Sequence, residues 1–140
     1  MKRKMFFFMM LALILLVGVV FSGCQEKTDK TNEIAKNVFL ESDILEFAYV
    51  NFTKSINKTG DIEKVTVEWL FHNIAGRTIN ATIIVEFYDK EDNLLYTEQR
   101  EIYTMPADWT EHLLEDSNRV SYDGEYVADV DHVIIRTVEI

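Results

Sequence analysis

The sequence predicts an all-β fold: a single antiparallel Ig-like β-sandwich of about seven strands that follows an N-terminal signal or anchor helix. From about residue 38 to residue 140, apolar and polar residues alternate with a period of two, and these runs are rich in β-branched and aromatic residues. This pattern is typical of strands because successive side chains leave opposite faces of a sheet. The links between the runs are of hairpin length and lack the spacing of βαβ units, which indicates antiparallel pairing. Roughly 100 residues in about seven short strands are typical of one Ig-like sandwich.

A targeting segment precedes the predicted domain. Residues 1–4 include three basic side chains, residues 5–21 form a run of 17 residues that is apolar except for Gly18, and Ser22-Gly23 supply small side chains. This order is that of a secretory signal, and the basic residues predict a cytoplasmic N-terminus with the rest of the chain exported. As a helix the apolar run spans about 25 Å, short of the roughly 30 Å hydrocarbon core. Retention as a short membrane anchor is therefore the alternative to cleavage.

The segment Phe21-Ser22-Gly23-Cys24, which ends at the only cysteine, resembles the lipobox of prokaryotic lipoproteins. Phe21 stands where that family usually has Leu. The resemblance implies cleavage before Cys24 and a diacylglycerol on its thiol, and two acyl chains anchor a protein more firmly than one. We therefore predict a lipoprotein held at the cell membrane through lipid on Cys24 and facing outside the cytoplasm. The alternative is that Cys24 is an incidental residue at the end of a plain signal or a membrane helix.

Three segments follow from these boundaries: a signal peptide over residues 1–23, a polar tether over 24–37 and the sandwich domain over 38–140. The 13 residues 25–37 are polar and without periodicity, and as a flexible coil they reach about 20 Å. Three of the 14 Lys and Arg but none of the 24 Asp and Glu precede Cys24, so the mature chain has a net charge of −13. So acidic a chain repels phosphate backbones, which excludes nucleic-acid binding.

Alternation places five strands along the domain. In the second of them, Val65, Val67, Trp69 and Phe71 share one face, so Trp69 is expected in the core. The predicted strands cover residues 44–53, 62–74, 79–89, 94–103 and 132–140.

Turn-forming residues separate these strands. Residues 73–77 and 90–93 are interpreted as connections, Pro106 marks a further turn, and Asp123-Gly124 suits a tight turn with positive φ. Residues 110–115 stay open between a strand and a helical turn. Residues 125–132 can be interpreted as a short crossover helix.

The stretch 85–95, VEFYDKEDNLL, resembles the FxLYD-type Ig-like domains of secreted prokaryotic proteins. Their hallmark is a strand that ends in an aromatic residue and Asp, followed by a turn and an apolar strand. Phe87 stands for the Leu of that motif and Tyr88-Asp89 match, while Asp92-Asn93 stand where the family commonly has Gly. Residues 71–76, FHNIAG, resemble the preceding strand end. The resemblance implies a sandwich with an accessory surface role, and it does not imply a catalytic site.

The histidines do not predict a metal site. His72, His112 and His132 are scattered and lack the HExxH or paired spacing that brings several zinc ligands onto one element. Asp129, Asp131 and His132 form the tightest polar cluster, but in a strand the two aspartates share one face and His132 lies on the other. A shared metal would require a loop there. We expect no metal and no cofactor.

Neither calcium binding nor catalysis is predicted. The acidic turn of Asp89, Glu91 and Asp92 lacks the Asp-x-Asp-x-Asp-Gly order of a calcium loop, and we interpret it as a solvated hairpin tip. The sequence has no Gly-x-Ser-x-Gly elbow and no Gly-rich phosphate loop. Paired carboxylates are too abundant in this acidic chain to mark a glycosidase site. We predict no catalytic residues.

Two surface features are candidates for contact with other molecules. Trp109 follows a predicted turn, where it is either a partly exposed contact for a partner or a sugar, or packing over the open end of the sandwich. Three Asn-x-Thr sequons begin at Asn51, Asn57 and Asn80, and they are candidate glycosylation sites in an exported protein. Asn57 has the most loop-like setting. The alternative is that Asn and Thr simply occupy outward strand positions.

The leading functional hypothesis is a lipoprotein whose single sandwich is a non-catalytic binding or accessory module for an unknown partner. The alternatives are a small-solute or metal-ion binding protein that delivers to a membrane transporter, and a structural spacer of the envelope. The chain is short for the two lobes usual in solute-binding proteins.

Overall fold

Seven strands in two sheets, with one short 3₁₀ helix, make up the part of the chain that the computed structural model describes, residues 35–112 and 117–140. The predicted all-β sandwich is confirmed. The elements in chain order are β1 (Val38–Glu41), β2 (Leu45–Ile56), β3 (Ile62–Asn73), β4 (Ile79–Tyr88), β5 (Leu94–Met105), β6 (Arg119–Tyr122), the 3₁₀ helix (Val127–Asp129) and β7 (His132–Glu139).

The strands are divided between a four-stranded sheet of order β1-β7-β4-β5 and a three-stranded sheet of order β2-β3-β6. All pairs are antiparallel except β1 with β7, which run parallel with Val38 opposite Val133. This parallel pair departs from the purely antiparallel expectation. It joins the first described strand to the last, so the chain between them supplies the long crossover that parallel pairing needs.

The core lies between the two sheets and follows the period of two. Every second residue of β3 from Val65 onward and of β4 from Ile79 onward is buried. Trp69, Phe71 and Phe87 are among the largest fully buried side chains, so the placement of Trp69 in the core is confirmed. Burying apolar area stabilises a fold by about 25 cal/mol per Å², so each of these large side chains contributes substantially to the core.

All five predicted strands are present, with ends shifted by a few residues. β1 and β6 were not predicted individually, because four residues are too few to show alternation. The segment 125–132, for which a short crossover helix was one interpretation, contains the 3₁₀ turn that carries the chain from the three-stranded to the four-stranded sheet. Of the open segment 110–115, Thr110 forms an isolated bridge with His72, and residues 113–115 lie outside the described part.

The predicted positive φ at Gly124 is wrong. Positive-φ glycines in the described residues are Gly60 and Gly76, in the β2–β3 and β3–β4 turns. Gly124 is needed for a different reason: a Cβ there would overlap the Tyr122 ring.

The predicted signal peptide, Cys24 and most of the tether lie outside the described residues. Within the described residues, no helix has the length and apolar character to cross a bilayer.

Candidate functional site

One side of the sandwich is only partly closed. Along this side run β5, the last strand of the four-stranded sheet, and β6, the last strand of the three-stranded sheet. At one end Tyr96 of β5 stacks on Tyr122 of β6, with ring centroids 5.0 Å apart and planes at 14°. Because β6 has only four residues, it leaves the other end of β5 without a facing strand among those described.

A groove of about 480 Å³ opens at that end. Core residues Trp69 and Ile83 form its floor, and the C-terminal half of β5 and the β5–β6 connection form its walls. The described residues that line it are Trp69, Ile83, Arg100, Glu101, Ile102, Tyr103, Thr104, Met105, Pro106, Trp109, Glu111, His112, Ser117 and Asn118.

Trp109 stands at the rim of this groove. It is 41% exposed, and its ring meets that of His112 edge-on, at 88° with centroids 5.6 Å apart. Trp109 is thus partly exposed, as one of the two sequence interpretations expected. Its role as a partner contact stays a prediction.

The β5–β6 connection is fastened to β3 as though it were a short strand. The Asn73 amide donates to the Trp109 carbonyl, and the Glu111 amide donates to the Phe71 carbonyl, both at 2.9 Å. Between these bonds the Thr110 hydroxyl lies 2.8 Å from Nδ1 of His72. The connection therefore continues the sheet where β6 ends.

Glu111 closes a gap in this pairing with its side chain. Oε2 of Glu111 accepts hydrogen bonds from the Phe71 amide at 2.9 Å and from Nδ2 of Asn118 at 2.8 Å. Burial raises the pKa of Glu111 above its usual 4.5, although these two hydrogen bonds act in the opposite direction. The Glu111 carboxylate thus accepts the hydrogen bond from the Phe71 amide that the carbonyl of a neighbouring strand would otherwise accept. It is partly desolvated in this position.

Asn73 joins three segments at the end of the groove. Its side chain is fully buried, and Nδ2 lies 2.8–3.0 Å from the carbonyl oxygens of Arg77, Met105 and Pro106. Oδ1 accepts from the Ala75 amide at 2.9 Å. One amide therefore fixes the end of β3, the β3–β4 turn and the end of β5.

The opposite end of the four-stranded sheet carries a cluster around His132. The imidazole stacks on Tyr88 at 5.4 Å and meets Phe39 edge-on at 5.9 Å. Nδ1 lies 3.2 Å from Oδ2 of Asp131, and Nε2 lies 3.5 Å from Oδ1 of Asp92. Both ring nitrogens thus face carboxylates.

The polar cluster seen in the sequence is only partly assembled. His132 lies close to Asp131, the residue before it, and its second carboxylate comes from Asp92 of the β4–β5 hairpin, whereas Asp129 ends the 3₁₀ helix. His112 lies instead against Trp109. Among the described residues, no group of three or more His, Cys, Asp or Glu side chains is arranged to hold a metal ion.

The Asp89 carboxylate organises the acidic turn between β4 and β5 through hydrogen bonds within that turn. Oδ1 of Asp89 accepts from the amides of Glu91 and Asn93, and Oδ2 accepts from Nδ2 of Asn93, all at 2.9 Å. The hydrogen bonds from Asn93 lower the pKa of Asp89 below its usual 3.8. Asp92 adopts φ 62°, in the left-handed region that glycine commonly occupies in turns.

The three sequons have different settings. Asn80 is exposed at the start of β4, and its Oδ1 accepts from the Thr104 amide at 2.7 Å. Asn57 shapes the β2–β3 turn, because its Oδ1 accepts from the amides of Thr59 and Asp61. Asn51 lies within β2 with Nδ2 3.5 Å from Glu68. Their modification stays a prediction.

Sequence reasoning assigned no role to Glu111, and it noted Asn73 only as part of the stretch FHNIAG, which resembles a strand end of the FxLYD-type domains. For Asn73 a signal existed, since an Asn directly before a small-residue turn is suited to bond the turn's backbone. No local signal distinguishes Glu111 from the other acidic residues, because its partner Phe71 is 40 positions away.

Comparison with known proteins adds little. No protein-family model matches the chain, and no curated protein matches it significantly. Among solved structures it is similar to the crystal structure of Campylobacter jejuni cj0090, with 16% identity and a TM-score of 0.37 over 74% of this chain and 100% of that one. A TM-score this low establishes neither a shared topology nor a shared function.

Proposed function

We propose that this protein is a lipoprotein anchored to the outer face of the cell membrane, and that its sandwich is a non-catalytic binding or accessory module. The observation that carries the proposal is the position of Cys24, the only cysteine, directly after an apolar leader and two small residues. The polar residues 25–37 then serve as the tether that lifts the sandwich off the bilayer.

The binding role is supported by the groove beside Trp109. A half-exposed indole over an apolar floor can contribute a large contact area at low entropic cost. The best-placed acid of the groove, Glu111, is occupied with the Phe71 amide and Asn118. This favours binding over acid–base catalysis.

The resemblance to FxLYD-type domains is part of the same proposal. It is supported by the β4–β5 hairpin, in which Tyr88 ends the strand and Asp89 organises the turn. The left-handed Asp92 takes the conformation for which the family commonly has Gly.

The anchor is tested by replacing Cys24. The wild-type protein, expressed in a bacterial host that is fed an alkyne-tagged fatty acid, should incorporate the label and stay with membranes in alkaline carbonate. Cys24→Ala should abolish the label, whereas Ser22→Ala should keep it, because alanine preserves a small side chain two positions before the cysteine. A wild-type mass that retains Met1 or lacks lipid would contradict the anchor.

The binding surface is tested by removing the exposed indole. Trp109→Ala should reduce, by at least about tenfold, the yield of proteins that a bifunctional cross-linker joins to this protein in intact membranes, since a Trp at the centre of an interface can contribute about 2 kcal/mol. Tyr126→Ala is the matched control, since Tyr126 is 53% exposed and does not line the groove. Equal cross-linking by both variants would rule out Trp109 as the contact.

A further inference from the structure

β5 presents a long free edge. It is the terminal strand of the four-stranded sheet and pairs with β4 alone among the described strands. β5 and β2 have 12 residues each, whereas β1 and β6, the other two edge strands, have four each. Natural proteins usually shorten or interrupt such edges, because an exposed row of amide and carbonyl groups accepts another strand.

The regular part of this edge is symmetric about one residue. β5 pairs residue for residue with β4 from Tyr96 to Ile102, and the register shifts beyond both ends of this segment. The seven regular residues have Gln99 at their centre. A second strand can therefore pair without interruption only over residues 96–102.

The two inner-row charges of β5 lie one on each side of the same residue. Glu98 and Arg100 lie on the inner row of β5, which consists of the residues on the face toward the other sheet. They are opposite the fully buried Val85 and Ile83 of β4. Their side chains are 24% and 37% exposed and form an ion pair with each other. Two copies of β5 that run antiparallel with Gln99 facing Gln99 bring Glu98 of each copy opposite Arg100 of the other.

This charge pattern also fixes the register. Pairing that keeps the inner rows together can slip only by two residues, because successive side chains alternate between faces. A slip one way puts Glu98 opposite Glu98, and a slip the other way puts Arg100 opposite Arg100. Directly opposed like charges destabilise a strand pair, and opposite charges stabilise it.

We propose that β5 is a homodimer interface: two copies of this protein pair antiparallel through residues 96–102, centred on Gln99. The two four-stranded sheets then become one continuous sheet of eight strands. Charges on the inner row of an edge normally repel added strands. The neighbouring opposite charges of β5 make this chain its own best partner, which is how attraction and repulsion together give specificity.

The proposal does not depend on the lipid anchor. Where the anchor is present, it confines both copies to one surface and raises their effective concentration. This would compensate for an interface of only seven residues per copy, which is small for a stable dimer.

Cysteine cross-linking tests the register. In the full-length protein, Gln99→Cys should form a disulfide-linked dimer on mild oxidation, since directly opposed residues have Cα atoms about 4.5–5.5 Å apart. Thr97→Cys alone should not, because its two copies lie about 14 Å apart along the strands. Thr97→Cys combined with Glu101→Cys should restore the dimer, because these positions face each other. Equal yields from Gln99→Cys and Thr97→Cys would overturn the proposal.

Charge reversal tests the pairing itself. Arg100→Glu or Glu98→Arg should each weaken dimerisation at least about tenfold, measured by sedimentation of the full-length protein in detergent. The double variant Glu98→Arg with Arg100→Glu should recover it. Urea unfolding of the same variants separates the loss of the intrachain ion pair from the loss of the dimer. A wild-type protein that stays monomeric at about 1 mM, or single variants that dimerise like it, would overturn the proposal.

Discussion

β2 and β5 are the two long edge strands, and both expose backbone amide and carbonyl groups with which another strand can pair. They differ in how that pairing is restricted. Each has 12 residues and ends its sheet. β2 pairs residue for residue with β3 from Tyr49 to Ser55, and β5 pairs residue for residue with β4 from Tyr96 to Ile102. In both strands the register shifts beyond each end of a seven-residue segment, so the two edges are equally regular.

What differs between the two strands is the charge on the inner row. Lys54 lies opposite the buried Val65 near the end of β2, donates to the Val130 carbonyl and lies 5.8 Å from the Phe52 ring centroid. The only acid on β2, Glu46, is on the outer row opposite His72. Two copies of β2 therefore cannot bring opposite charges together on one face.

The difference shows that a charge on the inner row of a sheet edge can either oppose strand pairing or select a particular partner strand. A lone cation on the inner row opposes pairing with most strands, including a second copy. An adjacent acid and base on a regular strand repel most strands but fit their own sequence in reverse. The following predictions alter β2, β5 or their connections to separate these cases.

Asn73→Ala should have the largest effect, because Asn73 holds the ends of both strands: it pairs with Leu45 of β2 and binds the carbonyls of Met105 and Pro106 after β5. Leaving buried carbonyls unpaired should lower the free energy of unfolding by about 3 kcal/mol, measured by urea denaturation. The control Asn51→Ala, within β2, should change stability by less than about 0.5 kcal/mol. Equal effects of the two substitutions would contradict the role of Asn73.

Glu111→Ala should cost about 1–2 kcal/mol, because the Phe71 amide loses its acceptor. Glu111→Gln keeps an acceptor and should instead change the pH dependence. Since the folded-state pKa of Glu111 lies above the usual 4.5, the folded state binds more protons, and wild-type stability should fall as pH rises from 4.5 through the raised value. The Gln variant should lack this fall in urea titrations.

Asp89, in the β4–β5 connection, should make stability depend on pH in the opposite direction. Because its pKa is lowered, its contribution is present above 3.8 and is lost as pH falls through the folded-state value. Asp89→Ala should therefore remove a loss of stability at acid pH while leaving the Glu111 trend unchanged. If Asp89→Ala and Glu111→Gln remove the pH dependence of stability over the same pH range, the assignment of one trend to each residue is wrong.

The strands were predictable because their pattern is local. The alternation in β3 and β4 states directly which side chains are buried, and it placed Trp69 in the core before the sheets were known. The same alternation cannot order the strands within a sheet. It therefore does not reveal that β5 is an edge, nor that β1 pairs parallel with β7.

The site was less predictable because its contacts join distant parts of the chain. Trp109 was singled out by its place after a turn, but the groove exists only because β6 is short and the β5–β6 connection pairs with β3. Asn73 and Pro106 are 33 positions apart. The symmetry of β5 about Gln99 is present in the sequence, but it acquires meaning only when the register shifts at both ends are known.

Thr104→Asn should stabilise the protein by about 1 kcal/mol. Thr104 lies in the irregular end of β5 at φ 55°, where a β-branched residue is strained and Asn is tolerated. Thr53→Asn makes the same change in the extended part of β2 and should instead destabilise slightly, because Thr favours strands. Thermal unfolding of the two variants should shift in opposite directions, and shifts in the same direction would remove the argument from strain.

Lys54→Val should change stability least, by less than about 1 kcal/mol, because the lost bond to the Val130 carbonyl is offset by a strand-favouring apolar residue. Its effect should appear in association. Without the lysine, the inner row of β2 reads Phe47, Val50, Phe52 and valine, and an apolar edge recruits further strands. Light scattering should therefore rise with protein concentration in Lys54→Val but not in Lys64→Val, which removes the same charge from β3, a strand with neighbours on both sides. If both variants stay equally soluble, Lys54 does not protect the edge of β2, and it is not what separates this edge from the self-pairing edge of β5.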